Sequence, residues 1–157
     1  MAVDITKSAT HTSAYPSKVL ATRVGHTYDI QLTSNTDNGS IIGRGAYISF
    51  DRYAEATAPV AFAGKIVEQA ANGNWYVEVT ATNPQVEALF VYETPIFTRE
   101  DRDLRQEKLW YNAAGEVVEA IVLTIGDIIE VSAEGFNNTP VVGKAVSVVS
   151  KKFTVAS

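Results

Sequence analysis

The feature that most constrains this chain is residues 108–132, KLWYNAAGEVVEAIVLTIGDIIEVS, where apolar runs are cut twice by turn-forming residues. Asn112-Ala113-Ala114-Gly115 makes the first cut and Gly126-Asp127 the second. Glycine takes the positive φ of a tight reversal without steric cost. Between the cuts lie mainly Val and Ile, whose β-branched side chains suit a pleated surface and are restricted in a helix. The stretch reads as strand, turn, long strand, tight turn, strand: a β-meander at the centre of a β domain. The apolar residues of the whole chain carry the same bias, with 19 Val and 11 Ile against 6 Leu. The expected fold class is therefore all-β, a single-domain sandwich or barrel of short antiparallel strands, since 157 residues suit one domain.

Residues 1–18 differ from the rest, and we expect a flexible N-terminal arm ahead of a β domain over 19–157. Between Thr6 and Ser17 half the residues are Ser or Thr, and Tyr15 is the only large apolar side chain. Such a segment buries too little surface to offset its ordering entropy. It either frays or orders against a neighbouring subunit, with Ile5, Tyr15 and Pro16 as anchors. Deleting residues 1–17 should then leave the fold intact. No apolar core of a secretory signal and no membrane-length apolar run occurs, which leads us to expect a soluble protein made in cytoplasm.

Further along, Asn38-Gly39 and Asn72-Gly73 are each the strongest short-range hairpin signal, and Trp75, Val77 and Val79 share one face of the strand after the second. Gly43 and Gly45 inside a strand signal a bulge or close backbone approach. Residues 51–59 are alanine-rich and allow one helical turn ahead of Pro59. Residues 99–108 hold eight charges in ten positions, with Arg99, Arg102 and Arg105 interleaved with acids such as Asp103. This is a solvated loop or helix, or an inter-subunit contact that uses both signs for register. Two final strands are expected near 141–149 and 152–155.

The chemistry-bearing residues are sparse. Zero cysteines remove disulfides, thiolate metal sites and thiol nucleophiles together. A net charge of −5, with 13 basic residues scattered, argues against nucleic acid as a partner. The two histidines are His11, in the expected arm, and His26, beside a turn; neither sits in a nucleophile motif. Asp37-Asn38-Gly39 is only a fragment of a calcium loop. The pairs Asp51 with Glu55 and Glu116 with Glu119 would need a cleft to become catalytic. We therefore expect no enzyme activity, no catalytic residues, no metal and no cofactor. Trp75-Tyr76 and Trp110-Tyr111 each set two rings on opposite faces of a strand. One of each pair, if exposed, suits sugar stacking or a protein interface.

The run Trp110-Tyr111-Asn112-Ala113-Ala114-Gly115-Glu116, with Leu123-Thr124-Ile125-Gly126-Asp127-Ile128-Ile129-Glu130-Val131-Ser132, resembles stretches of small tailed-bacteriophage virion proteins. These are of the auxiliary head class, the capsid decoration (cement) and head-fibre proteins, and the resemblance covers about a third of the chain. It implies a structural virion protein on the capsid surface, partnered by the major capsid protein lattice and by itself as a homo-oligomer, without nucleic acid or membrane. Ile5, Tyr15, Pro16, Arg99, Arg102, Asp103, Arg105, Trp110 and Tyr111 would be its interface. A tail-tube or other virion assembly subunit is the near alternative. A carbohydrate-binding module, with a glycan as partner, is the alternative of another class.

Overall fold

The computed structural model describes residues 2–4, 10–19, 26–83, 85–93 and 109–157. They form thirteen strands: β1 (Ala2–Val3), β2 (Ala14–Lys18), β3 (Thr27–Gln31), β4 (Ile41–Ser49), β5 (Arg52–Glu55), β6 (Phe62–Gln69), β7 (Trp75–Thr82), β8 (Ala88–Val91), β9 (Trp110–Tyr111), β10 (Val117–Val122), β11 (Ile128–Val131), β12 (Ala145–Val149) and β13 (Lys152–Val155). The all-β expectation is met by both of its proposed forms at once. Five strands close a barrel in the order β10-β3-β5-β4-β8, and six make an open sheet, β13-β12-β6-β7-β11-β2. A two-stranded ribbon pairs β1 with β9.

The alternation of side chains explains how barrel and sheet join. Along β8, Leu89 and Val91 point into the barrel with Ile30, Leu32, Ile42, Val118 and Val122. Their neighbours Ala88 and Phe90 point outward, into a second core with Ile66, Val77, Ile129 and Phe153 of the sheet. A strand buried on both faces has no polar side, so Ala88–Val91 is apolar throughout. β4 and β10 do the same through Ile41 beside Ile42 and Ile121 beside Val122. The two cores thus share strands, and neither layer can separate from the other without exposing one of them.

Several expectations are corrected. Residues 108–132 are not a meander: β9 pairs with β1, β10 lies in the barrel and β11 in the sheet. The Gly126 turn carries the chain between layers, because Ile129 and Val131 are buried only on the sheet side. Asn38-Gly39 does not close a hairpin, since β3 pairs with β10 and, in parallel, with β5. Gly39 is needed there for its φ of +84° and because an added Cβ would lie 2.7 Å from that of Ala14. Residues 52–55 are strand, not helical turn. At Gly45 the β4–β5 ladder bulges, and a Cβ there would sit 2.9 Å from the carbonyl oxygens of Ala54 and Glu55. The Asn72-Gly73 hairpin, with Val77 and Val79 buried on one face, forms as expected.

The flexible arm is also corrected over its described part. Ala14–Lys18 is the edge strand of the six-stranded sheet, paired with β11. Ser13 donates its N–H to Ser132 Oγ (3.0 Å) and accepts from the Ser132 N–H (2.9 Å). Hydroxyl-rich composition undercounts order when polar groups find partners across 119 residues. Deleting residues 1–17 would therefore strip a strand from the sheet.

The β12–β13 hairpin turns at Ser150-Lys151, with φ of 51° and 67°. Both conformations are left-handed, where Asn and Gly are favoured and a β-carbon otherwise costs energy. Ser150→Asn at this exposed position is expected to raise stability by about 0.5–1 kcal/mol, read as a higher urea midpoint at unchanged slope.

Candidate functional site

The barrel carries a projecting hairpin that has no counterpart in the sequence reading. β4 and β5 are joined by Phe50-Asp51, with Ser49 paired to Arg52 and Tyr47 to Tyr53. At its tip Phe50 is 95% exposed, Tyr47 64% and Ile48 44%. Burying a phenylalanine ring yields about 1.5–3 kcal/mol, which this tip leaves unused in the isolated chain. The base is stiffened by rings: Tyr53 meets Tyr28 edge-on at 5.5 Å and Tyr47 at 5.7 Å. The Arg44 guanidinium lies 4.5 Å from the centre of the Tyr28 ring and 5.1 Å from that of Tyr53. Asp51 accepts a hydrogen bond from Ser49 Oγ, and this bond, with the Arg52 guanidinium at 3.7 Å, holds its carboxyl below the usual range. The tip is a rigid apolar knob with an ionised flank.

At the opposite end of the same ribbon lies a cleft of about 680 Å³, between Gly43 and the 56–60 loop on one wall and Val148, Val149 and Lys151 on the other. Its polar floor is an ion pair, Lys151 Nζ to Glu55 Oε1 at 2.6 Å. The ammonium also donates to Ser34 Oγ (2.8 Å) and Thr36 Oγ1 (2.7 Å), while Glu55 Oε2 accepts from the N–H and hydroxyl of Thr33. The pair ties β13's turn to β5 and to the loop after β3.

On the far side of Lys151 a smaller pocket of about 300 Å³ holds His11, Asp37 and Ser40. His11 does not lie in a floppy arm: Nδ1 is 2.7 Å from Asp37 Oδ1, and the ring stacks on Tyr111 at 5.2 Å. An imidazole oriented by a carboxylate is half of a hydrolytic triad, but its other nitrogen faces Asp4 Oδ2 at 3.5 Å, not a hydroxyl nucleophile. Asp37 also accepts from the Thr12 N–H and hydroxyl, so it works as the clasp of the N-terminal segment. Asp37→Ala should cost about 2 kcal/mol, the worth of bonds to a charged acceptor, and should speed exchange of the Thr12 amide proton.

The residues expected to act separate widely. Ile5, Arg99, Arg102, Asp103 and Arg105 lie outside the described residues. Tyr15, 42% exposed, and the half-buried Pro16 are on the edge strand β2. Trp110 is 4% exposed and Tyr111 is covered by His11, so these two are packing residues in the isolated chain. Asp51 and Glu55 do not form a carboxylate pair across a cleft, the first being at the knob and the second bound to Lys151. Glu116 Oε2 caps the turn at the Ala113 N–H. Among the described residues no group of three or more His, Asp or Glu is placed to hold a metal ion. The knob was legible only as three large apolar residues, Tyr47, Ile48 and Phe50, running into Asp51-Arg52; Phe-Asp is not turn chemistry, so no hairpin was expected. No protein-family model matches the chain, and no curated protein and no solved structure gives a significant match.

Proposed function

We propose that the chain is a structural virion protein that binds and stabilises a viral capsid surface through subunit–subunit contacts. The observation that carries this is the β4–β5 knob: Phe50, Ile48 and Tyr47 exposed on a hairpin braced by Tyr53, Tyr28 and Arg44. Phe, Tyr and Arg are enriched at protein interfaces, and a stiff hairpin loses little entropy on docking. The resemblance of residues 110–116 and 123–132 to decoration and head-fibre proteins supplies the class of partner, the capsid lattice. Of the rings that the carbohydrate reading would use, Trp110 is buried, Tyr111 stacks on His11, and Trp75 and Tyr76 are half-buried.

The test is co-sedimentation of the purified chain with heads of the phage that encodes it. Saturation at a fixed number of copies per head, with greater resistance of those heads to heat, is the supporting outcome. Failure to sediment with heads, together with retention on a glycan array, would replace this function by a sugar-binding one.

A further inference from the structure

Self-association of this chain by strand addition has little to work with. The barrel is closed, and the two edges of the open sheet are guarded. On β2, Pro16 contributes no N–H and lies where the ladder to β11 bulges. Along β13, Asn138 takes both polar groups of Val155, its Oδ1 accepting the N–H at 2.7 Å and its Nδ2 donating to the carbonyl at 2.9 Å. Asn137 adds a bond to Thr154 Oγ1. Among the described residues, the apolar knob at Phe50 and the cleft beside Val149, which is itself 54% exposed, are both open to a partner.

Knob and cleft sit at the two ends of one ribbon. Gly43 lines the cleft and Ser49 precedes the tip, six residues or roughly 20 Å apart along an extended strand. The paired ladder of β4 and β5 keeps the ribbon from doubling back, so Phe50 cannot enter the cleft of its own chain. A cleft of about 680 Å³ has room for a phenylalanine side chain with the isoleucine beside it. The charges also match. At the tip the more exposed charge is acidic, Asp51 at 52% against 39% for Arg52, while at the cleft it is basic, the Lys151 side chain at 24% against 5% for Glu55.

We propose that Phe50 of one copy seats in the Val149–Lys151 cleft of the next, a head-to-tail contact between copies of this chain. The proposal rests on the reading of the chain as an assembly subunit and names its self-contact. A heterologous contact closes into a ring when its rotation allows and otherwise extends as a filament. One seated ring is a weak contact, so its strength in an assembly comes from repetition.

The experiment is sedimentation velocity from micromolar to millimolar protein, on the intact chain, Phe50→Ser and Val149→Glu. Both substitutions are at exposed positions, and circular dichroism checks that each variant keeps its fold. The intact chain should associate, and each variant alone should do so at least ~10-fold more weakly, the equivalent of about 1.4 kcal/mol. Mixing the two variants is the decisive arm. Phe50→Ser keeps a cleft and Val149→Glu keeps a knob, so the mixture should form dimers and stop there. A mixture that stays monomeric while the intact chain associates would overturn the knob-and-cleft contact, as would variants that associate like the intact chain. An intact chain that is monomeric throughout would also overturn it, yet leave capsid binding standing, because the knob of a monomer is free to dock on heads and co-sedimentation reads that binding separately.

Discussion

Phe153→Ala is expected to lower the stability of the chain by about 3–5 kcal/mol, the usual cost of emptying a phenylalanine site in a core. Phe153 is fully buried, and its ring lies 5.6 Å from both Phe62 and Phe136. Those two neighbours come from different directions, Phe62 from β6 and Phe136 from the turn that follows β11, so neither can move in alone to fill the space. Phe153 also occupies an edge strand, where its ring holds β13 down on the core. The measurement is urea denaturation, with the midpoint falling and the slope unchanged. For a chain of this size the same loss lowers Tm by roughly 10 °C. A loss below about 1.5 kcal/mol would mean that the three-ring cluster is not the centre of the core.

The second large effect belongs to the ion pair under the cleft. Glu55→Leu should cost about 3 kcal/mol, because it leaves the Lys151 ammonium facing an apolar side chain and removes the acceptor of the Thr33 N–H and hydroxyl. The figure is at the lower end for buried pairs since Lys151 keeps some contact with water and two hydroxyl acceptors. Adding Lys151→Met should recover at least half of the loss, because two apolar side chains replace two charges that had to be taken out of water. The double-mutant cycle reads this directly as non-additivity. Additive losses would show that the two charges do not depend on one another.

How far the fold was legible depended on the range of the deciding interaction. Asn72-Gly73 is flanked by runs that alternate, and its two strands are neighbours in the sheet; everything needed lies within about twenty residues. Asn38-Gly39 carries the same dipeptide, but the strands on either side join other partners, and the glycine is required by the proximity of Ala14. A turn residue reports that the chain can reverse, not which strand the next one will join. The described part of the Ser/Thr-rich segment shows the same limit, for Thr12 and Ser13 are held by Asp37 and Ser132. The knob is not legible in the sequence because exposure of Phe50 is a property of where the ribbon points, which no local pattern encodes.

Residue chemistry alone determined that this is a β protein: Val and Ile outnumber Leu five to one, Gly and Asn punctuate short runs, and no cysteine is present to staple or react. Only the tertiary structure decided that five strands close into a barrel and six lie against it, that Trp110 is packed inside while Phe50 stands in water, and that Glu55 meets Lys151. The physical reason is that β pairing and burial are non-local. A strand's partner is chosen by which arrangement covers its apolar faces and satisfies its backbone, and those contacts lie tens of residues away.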